Sequence, residues 1–191
     1  MRAQAGRLAA RLRGDLGVRP GDRVGLWLKN CPEFIPAYFG VLQAGGVLVP
    51  INNFLKSDEV VHILGDAGID VLITDAAMAE SLPKLRAARP QLQTWLVEEF
   101  APDWQSDAPA GAGAESVARA ESDLAVIIYT SGTTGRPKGA MLSHGNLLHN
   151  VESCRQVLEA VDHDRFVVLL PMFHSFMMSV GMLLPLMVGG S

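Results

Sequence analysis

The stretch that says most about the fold is Thr130-Ser131-Gly132-Thr133-Thr134-Gly135-Arg136-Pro137-Lys138-Gly139. Its ten residues include three glycines, four hydroxyl side chains, one arginine and one lysine. Glycines let the backbone turn its N–H groups inward, and hydroxyl groups donate to phosphate oxygens. Lysine adds a compact positive charge. This mixture of residues predicts a loop that binds a polyphosphate.

The residues beside this loop predict a strand before it and a helix after it. Residues 124–129 are an apolar run, and Ser143-His144-Gly145-Asn146 is typical of a helix start. A strand, a glycine-rich turn and a helix form a common anion-binding arrangement. The loop does not match G-x-x-x-x-G-K-[ST], because Pro137 precedes Lys138 and Gly139 follows it. The dinucleotide pattern G-x-G-x-x-G is also absent, so the loop belongs to another phosphate-binding class.

Helical and strand-like patterns alternate along the first hundred residues. Helices are predicted at residues 2–16, 32–44 and 76–88, and a further helix is expected to start with Ser57 as its N-cap. Strands are predicted at residues 23–28, 47–51, 71–73 and 92–97. Strands that alternate with helices favour an α/β fold with a largely parallel sheet.

The periodic pattern lapses between residues 98 and 123, which are acidic and rich in Ala, Pro and Gly. We therefore expect a first α/β subdomain at residues 1–97, a surface connector at 98–123, and the start of a second α/β subdomain at 124–191. In the second part, the pattern predicts a helix at 143–161, a strand at 166–170, a bend at 171–175 and a buried helix at 176–187.

Composition narrows the class of protein. The chain has 191 residues, 49% of them hydrophobic, and a net charge of −4, which indicates a globular protein and argues against a nucleic-acid-binding surface. Cys31 and Cys154 fit neither a metal-binding spacing nor a disulfide framework, as expected in a reducing compartment. The N-terminus lacks a signal peptide's apolar core, and the most apolar stretch, at 176–188, is too short to span a bilayer. These features predict a cytoplasmic protein without a transmembrane segment.

Several motifs resemble the adenylate-forming superfamily, which includes acyl-CoA synthetases, luciferases and peptide-synthetase adenylation domains. The signature Ser-Gly-Thr-Thr-Gly-x-Pro-Lys-Gly is present in full at residues 131–139. The stretches at residues 21–24, 44–51 and 170–175 also resemble the N-terminal domain of this family. The resemblance covers nearly the whole chain. Within the superfamily, the chain is most similar to acyl-CoA synthetases, also called fatty-acid–CoA ligases. The resemblance implies two largely parallel sheets with flanking helices.

The resemblance implies a two-step ligase that uses ATP, Mg²⁺ and coenzyme A with a small-molecule carboxylic acid. The acid attacks the α-phosphate of ATP to give an acyl-adenylate and pyrophosphate, and a thiol then accepts the acyl group. The implied nucleotide-binding residues are Thr130, Ser131, Gly132, Thr133, Thr134, Gly135, Arg136, Pro137 and Lys138. Thr130 is also expected near Mg²⁺. The implied catalytic residues are Lys138 and His174, the latter between the acyl pocket and the nucleotide.

The motifs that the resembling family uses for adenine, ribose, the Mg²⁺ carboxylate and the catalytic lysine of its C-terminal domain do not occur in these 191 residues. We therefore expect an N-terminal fragment that is inactive alone. Two alternatives remain open: a non-catalytic nucleotide- or acyl-binding module, and another adenylating enzyme of the luciferase or peptide-synthetase type. An uncovered sheet edge and uncovered apolar surface would favour a homodimer.

Overall fold

The computed structural model of the chain describes residues 1–100, 115–130 and 136–191. The described helices are α1 (Arg2–Gly14), α2 (Phe34–Gln43), α3 (Ser57–Ala67), α4 (Leu82–Ala88), α5 (Val97–Phe100), α6 (His144–Leu158) and α7 (Leu184–Val188). A 3₁₀-helix at Ala76–Ser81 leads into α4, and a π-helix at Met177–Leu183 leads into α7. The described strands are β1 (Arg23–Trp27), β2 (Val47–Pro50), β3 (Val71–Thr74), β4 (Gln93–Leu96), β5 (Leu124–Thr130) and β6 (Lys138–Ser143).

The six strands form one sheet in the order β4-β3-β1-β2-β5-β6. The first five are parallel, and β6 runs antiparallel to β5 because the two strands form a hairpin around the glycine-rich loop. β5 joins the sheet beside β2, where Leu48 is the register partner of Val126. The strand after the acidic connector therefore extends the sheet that the first four strands begin.

Side chains alternate between the two faces of the sheet, as the period of two in a strand requires. On β1, Val24 and Leu26 face a core that also contains side chains of α1, α2 and the π-helix, whereas Trp27 faces a second core. The second core contains side chains of α3 and α4, including Ile63 and Leu85. Helices thus cover both faces of the sheet, which explains why β2, β3 and most of β5 are continuous apolar runs.

Most of the predicted elements are confirmed. Each of the four strands and each helix predicted in the first hundred residues is present within a few residues of its expected bounds, and the α/β class with a mostly parallel sheet is correct. The helix predicted at 76–88 is divided between the 3₁₀-helix and α4. The helix α6 starts where predicted, and Ser143 is its N-cap: the Ser143 hydroxyl accepts from the Asn146 N–H at 3.1 Å, and the Asn146 side-chain oxygen accepts from the Ser143 N–H at 3.0 Å.

Several details of the predicted secondary structure were wrong. The N-cap of α3 is Lys56, and Ser57 is the first helical residue, with its hydroxyl bonded to that of Ser81. The strand β6 was missed because its six residues are mostly exposed and lack a clear apolar alternation. The short helix α5 was also missed, since it begins directly where β4 ends. Finally, only the middle of the helix predicted at 176–187 is buried, because Phe176 and Met187 are exposed.

Residues 166–170 do not form the predicted strand. Val167 and Leu169 are 72% and 82% exposed, and no strand in the described part of the chain pairs with this segment. Its backbone is instead tied to residue 191, since the Phe166 N–H donates to the Ser191 carbonyl oxygen at 2.7 Å. An apolar sequence is insufficient for a strand without a neighbouring strand to accept its hydrogen bonds.

The described strands belong to a single sheet, so a second sheet is not found among them. The division into residues 1–97, 98–123 and 124–191 stays a prediction, and residues 101–114 of the connector lie outside the described residues. None of the helices within the described ranges is long and apolar enough to cross a membrane.

Candidate functional site

A cavity of about 370 Å³ lies at the carboxyl ends of β2 and β5. This edge of a parallel sheet is where α/β proteins generally bind ligands. The cavity is lined by residues from β2 and its following loop, from α3, from the β5–β6 hairpin and from the bend before the π-helix: Pro50, Asn52, Leu55, Glu59, Ile63, Ile128, Tyr129, Thr130, Pro137, Phe173, His174 and Ser175.

The β5–β6 hairpin places the two ends of the glycine-rich loop side by side. Thr130, the last residue of β5, is the register partner of Lys138, the first residue of β6. Side chains of directly opposed residues lie on the same face of an antiparallel pair. Thr130 and Pro137 line the cavity, and Lys138 is exposed beside them. The hairpin therefore brings a hydroxyl group and a cation together at the cavity.

Five residues form the centre of the predicted phosphate loop. Ser131, Gly132, Thr133, Thr134 and Gly135 lie outside the described residues. Arg136, the first described residue after them, is exposed. The predicted roles of all these residues stay predictions.

His174 lines the same cavity, although 36 residues separate it from Lys138. Its Nδ1 atom accepts a hydrogen bond from the Phe176 N–H at 3.3 Å, so the imidazole caps the helical segment that follows. Because Nδ1 is the acceptor, the proton of the neutral ring is on Nε2. The Nε2–H group is then available to donate to a ligand in the cavity.

The bend that carries His174 is held by a side chain from the first part of the protein. The Asn30 side-chain nitrogen donates to the Leu170 carbonyl oxygen at 3.0 Å, and the Met172 N–H donates to the Asn30 side-chain oxygen at 2.8 Å. Asn30 follows β1, so it lies at the carboxyl end of the strands. Phe173 on this bend packs edge-on against Phe54, with 6.4 Å between ring centroids.

Sequence reasoning missed two walls of the cavity. Glu59 and Ile63 come from α3, and Asn52 comes from the loop after β2. The amphipathic pattern of α3 does place Ile63 on an inward face, but the pattern does not tell which strand that face covers. The order of strands in the sheet would have been needed to place α3 and the end of β2 beside β5.

Of the four aromatic and methionine side chains in this segment, Phe173, Phe176, Met177 and Met178, only Phe173 lines the cavity. Met177 and Met178 are 6% and 1% exposed and belong to the core beneath the sheet, whereas Phe176 is 56% exposed. Met side chains fill irregular apolar gaps readily, so a methionine-rich segment is a weak indicator of a ligand pocket.

The described residues contain no group of three or more His, Cys, Asp or Glu side chains arranged for a metal ion. Thr130 alone offers one neutral oxygen, whereas Mg²⁺ in proteins is generally held by one or two carboxylates together with substrate phosphates and water. The predicted contact between Thr130 and Mg²⁺ stays a prediction.

A parallel sheet, a cavity at its carboxyl ends and a glycine-rich hairpin define an α/β protein with a ligand site at the strand ends. A family model described as "AMP-binding enzyme" matches residues 1–191, so the chain belongs to the AMP-binding enzyme family. The resemblance seen in the sequence is thereby confirmed.

Similar proteins agree with this assignment. Feruloyl-CoA synthase of an Amycolatopsis species is 37% identical over 192 residues, covering 99% of this chain. ATP-bound MatB from Rhodopseudomonas palustris matches 100% of the chain with a TM-score of 0.87 and 30% identity. The inhibitor-bound N-terminal domain of FACL13 from Mycobacterium tuberculosis matches 98% with a TM-score of 0.86 and 33% identity.

The chain spans about a third to a half of the proteins it matches. It covers 37% of the feruloyl-CoA synthase, 38% of MatB and 47% of the FACL13 domain. The match to that N-terminal domain, together with the family assignment, places the described sheet in the N-terminal part of an acyl-CoA synthetase-like fold.

Proposed function

We propose that the chain forms the ATP-phosphate-binding part of an acyl-CoA synthetase. The observation that carries this proposal is the shared cavity at the carboxyl ends of β2 and β5, where Thr130 and His174 meet beside Lys138. Names of similar proteins support the same class, since one is a feruloyl-CoA synthase and another is a structure with ATP bound. Acid–thiol ligation with coenzyme A as the acceptor is the activity we propose.

The proposed reaction has two balanced steps. A carboxylate oxygen of the acid bonds to the α-phosphorus of ATP, and the bond from that phosphorus to the bridging oxygen of the β-phosphate breaks. The thiolate of coenzyme A then bonds to the carbonyl carbon, and AMP leaves with the electron pair of the broken bond. Negative charge develops on the leaving group in each step, so fixed donors aimed at phosphate oxygens accelerate the reaction.

The residues of the loop have distinct proposed roles in that scheme. We assign the side-chain hydroxyls and backbone N–H groups of residues 130–135 as donors to the terminal phosphates, with Lys138 as the cation beside them. Arg136 and Pro137 are the last residues of the loop before β6, and we propose that they set the direction in which the chain enters that strand. Thr130 would offer an oxygen near the proposed Mg²⁺, which would neutralise phosphate charge when bound with ATP.

His174 is the proposed catalytic residue on the opposite wall. Its Nδ1 accepts from the Phe176 N–H, which leaves Nε2–H as the donor of the neutral ring. A hydrogen-bond donor at this position would stabilise an oxyanion as it develops. His174 would therefore contribute to the step in which charge develops on the acid or on the α-phosphate.

The test uses the complete product of the gene and measures ATP–pyrophosphate exchange with a panel of aliphatic and aromatic carboxylic acids. Exchange that depends on an acid supports the proposal, and thioester formation on adding coenzyme A supports the proposed acceptor. ATP binding by calorimetry without exchange indicates the non-catalytic module instead. Exchange without thioester formation indicates another adenylating enzyme.

Two variants assign the site. Lys138→Ala and His174→Ala should each lower kcat/KM by about 10- to 1,000-fold, because each removes a donor that acts on developing charge. Lys84→Ala is the matched control, since Lys84 forms an exposed ion pair with Asp58 and does not line the cavity. Equal activity of Lys138→Ala and Lys84→Ala would show that the loop lysine has no part in the reaction.

The homodimer also stays a proposal. Apolar side chains on α6 and on residues 167–170 are exposed, among them Leu148, Val157 and Leu169. Such surface favours association. Light scattering on the 191-residue chain should show a dimer or a larger species, and a monodisperse monomer at high concentration would count against this expectation.

A further inference from the structure

Two side chains of α3 contact the two ends of the glycine-rich loop. Tyr129 immediately precedes Thr130 in the chain, and its hydroxyl donates to Asp66 Oδ2 at 2.5 Å. His62 Nε2 lies 3.4 Å from the carbonyl oxygen of Pro137. His62 and Asp66 are four residues apart, so they lie on one face of the helix. One helix face therefore contacts both the strand that enters the loop and the residue where the loop leaves.

The Tyr129 ring also joins the two strands of the hairpin. Tyr129 and Gly139 are register partners on β5 and β6. A Cβ atom at Gly139 would lie 3.2 Å from the Tyr129 ring and 2.7 Å from Ile127 Cγ2. The absence of a side chain at Gly139 thus lets the ring lie across β6 while its hydroxyl reaches α3. This packing gives a physical reason for glycine at the last position of the signature.

The hydrogen bonds have a defined direction. Burial and the neighbouring Asp66 carboxylate raise the pKa of Tyr129, so its hydroxyl stays protonated and donates. The Pro137 carbonyl oxygen can only accept, so His62 must carry a proton on Nε2 for this contact to be a hydrogen bond. Both interactions are local to the loop ends, and neither His62 nor Asp66 lines the cavity.

The same helix forms part of the cavity wall through Glu59 and Ile63. Glu59 is itself held in place, since its carboxylate accepts from the Lys56 N–H at 2.8 Å in the capping box of α3. A single rigid element thus contributes to the cavity and fixes the loop ends. Fixed ends reduce the conformational entropy that a loop loses when it binds a ligand.

We propose that Asp66 and His62 are positioning residues that hold the two ends of the glycine-rich loop against α3 and so increase its affinity for a nucleoside triphosphate. The inference rests on the proposed function, in which this loop binds ATP. Asp66 acts through Tyr129, and His62 acts through Pro137. Neither Asp66 nor His62 lines the cavity, so we expect their replacement to affect ATP rather than the acid.

The test measures ATP–pyrophosphate exchange by the complete gene product and varies ATP and the acid separately. Tyr129→Phe keeps the ring and removes only the hydroxyl, and Asp66→Ala removes the acceptor. Each should raise the KM for ATP about three- to tenfold, the equivalent of one lost hydrogen bond. The KM for the acid should be unchanged, and the melting temperature should stay within about 3 °C of the wild type.

Three further variants make the assignment specific. Asp66→Asn keeps an oxygen acceptor for the Tyr129 hydroxyl and should restore the KM for ATP to within about twofold of wild type. Combining Tyr129→Phe with Asp66→Ala should be no worse than either change alone, because both remove the same bond. His62→Leu should raise the KM for ATP by only about two- to threefold, since its contact with Pro137 is longer.

Asp70→Asn is the matched control, because Asp70 is an exposed carboxylate that pairs with Arg89 at 2.8 Å and does not contact the loop ends. If the wild type catalyses exchange but Tyr129→Phe and Asp66→Ala leave the KM for ATP unchanged, the inference is wrong and the proposed function still stands. Equal rises in both KM values with a lowered melting temperature would overturn it too, since they indicate a general structural role. A wild type that neither binds ATP nor catalyses exchange would remove the proposed function and the inference together.

Discussion

The first hundred residues and the last fifty-six bury their apolar side chains very differently. In the first part, the central positions of β1 to β3 are almost completely buried between two helical layers. In the second, Val157 and Leu169 are 81% and 82% exposed, and Phe176 is 56% exposed. The strands of the first part are therefore covered on both faces, with side chains of β5 and the π-helix completing the core, whereas the second part exposes several large apolar side chains.

This difference indicates that the buried strands of the first part contribute mainly to stability, whereas most of the proposed site residues lie outside that part. Burial of apolar surface contributes roughly 25 cal/mol per Å², so the buried side chains of β1 to β3 stabilise the fold more than the exposed apolar side chains of the second part do. The loop ends and His174 lie outside the first part, but they are held by α3 and Asn30 of that part. A rigid first part thus positions the side chains that we propose to bind ATP.

The largest expected effect tests this division of stability. Leu26→Ala removes a fully buried side chain from the central strand β1 and should lower the free energy of unfolding by about 2–5 kcal/mol. Leu169→Ala makes the same change at an exposed position and should alter it by less than about 0.5 kcal/mol. Urea denaturation of both variants measures the difference, and equal losses would abolish the contrast between the two parts.

The next effect concerns the hairpin between the two parts. Gly139→Ala places a Cβ atom 2.7 Å from Ile127 Cγ2 and should cost about 1–3 kcal/mol through overpacking. Gly14→Ala is the matched control, because nothing lies within 4 Å of a Cβ atom there and alanine favours the helix. Thermal denaturation compares the two. A Gly139→Ala protein as stable as wild type would mean that the Tyr129 ring moves freely.

A third prediction concerns the link between the parts. Asn30→Ala removes both hydrogen bonds to residues 170 and 172 and should lower the free energy of unfolding by about 1–2 kcal/mol. It should also lower kcat/KM for exchange, because the bend that carries His174 loses its anchor. Asn150→Ala, at an exposed position of α6, is the control for both measurements. Unchanged kinetics would show that the bend is held by other contacts.

The sequence was sufficient for elements whose pattern is set locally. The apolar runs of β1 to β5 and the inward faces of α2 and α3 follow from periodicity, and the glycine-rich signature identified the family. Periodicity reports which face of an element is buried, and it does so even when the covering element is distant in the chain.

Features that depend on the order of the strands in the sheet could not be predicted from the sequence. The strand β5 lies beside β2 because of packing between segments that are about 75 residues apart in the chain. This neighbourhood brings α3 close to the loop ends. The exposed strand β6 forms because it pairs with β5, since its own sequence has no clear apolar alternation. Conversely, residues 166–170 have a strand-like composition but no pairing partner among the described strands, so their composition was misleading.

The smallest predicted effect lies within the second part, at the start of α6. Ser143→Ala removes the hydroxyl that accepts from the Asn146 N–H and should lower the free energy of unfolding by about 1 kcal/mol. Ser153→Ala removes a hydroxyl that only donates back to the His149 carbonyl oxygen within the helix, so it should be neutral or slightly stabilising. Urea denaturation again provides the comparison. If Ser143→Ala is neutral, α6 frays without cost to the rest of the protein, and the second part contributes even less to stability than its exposed side chains indicate.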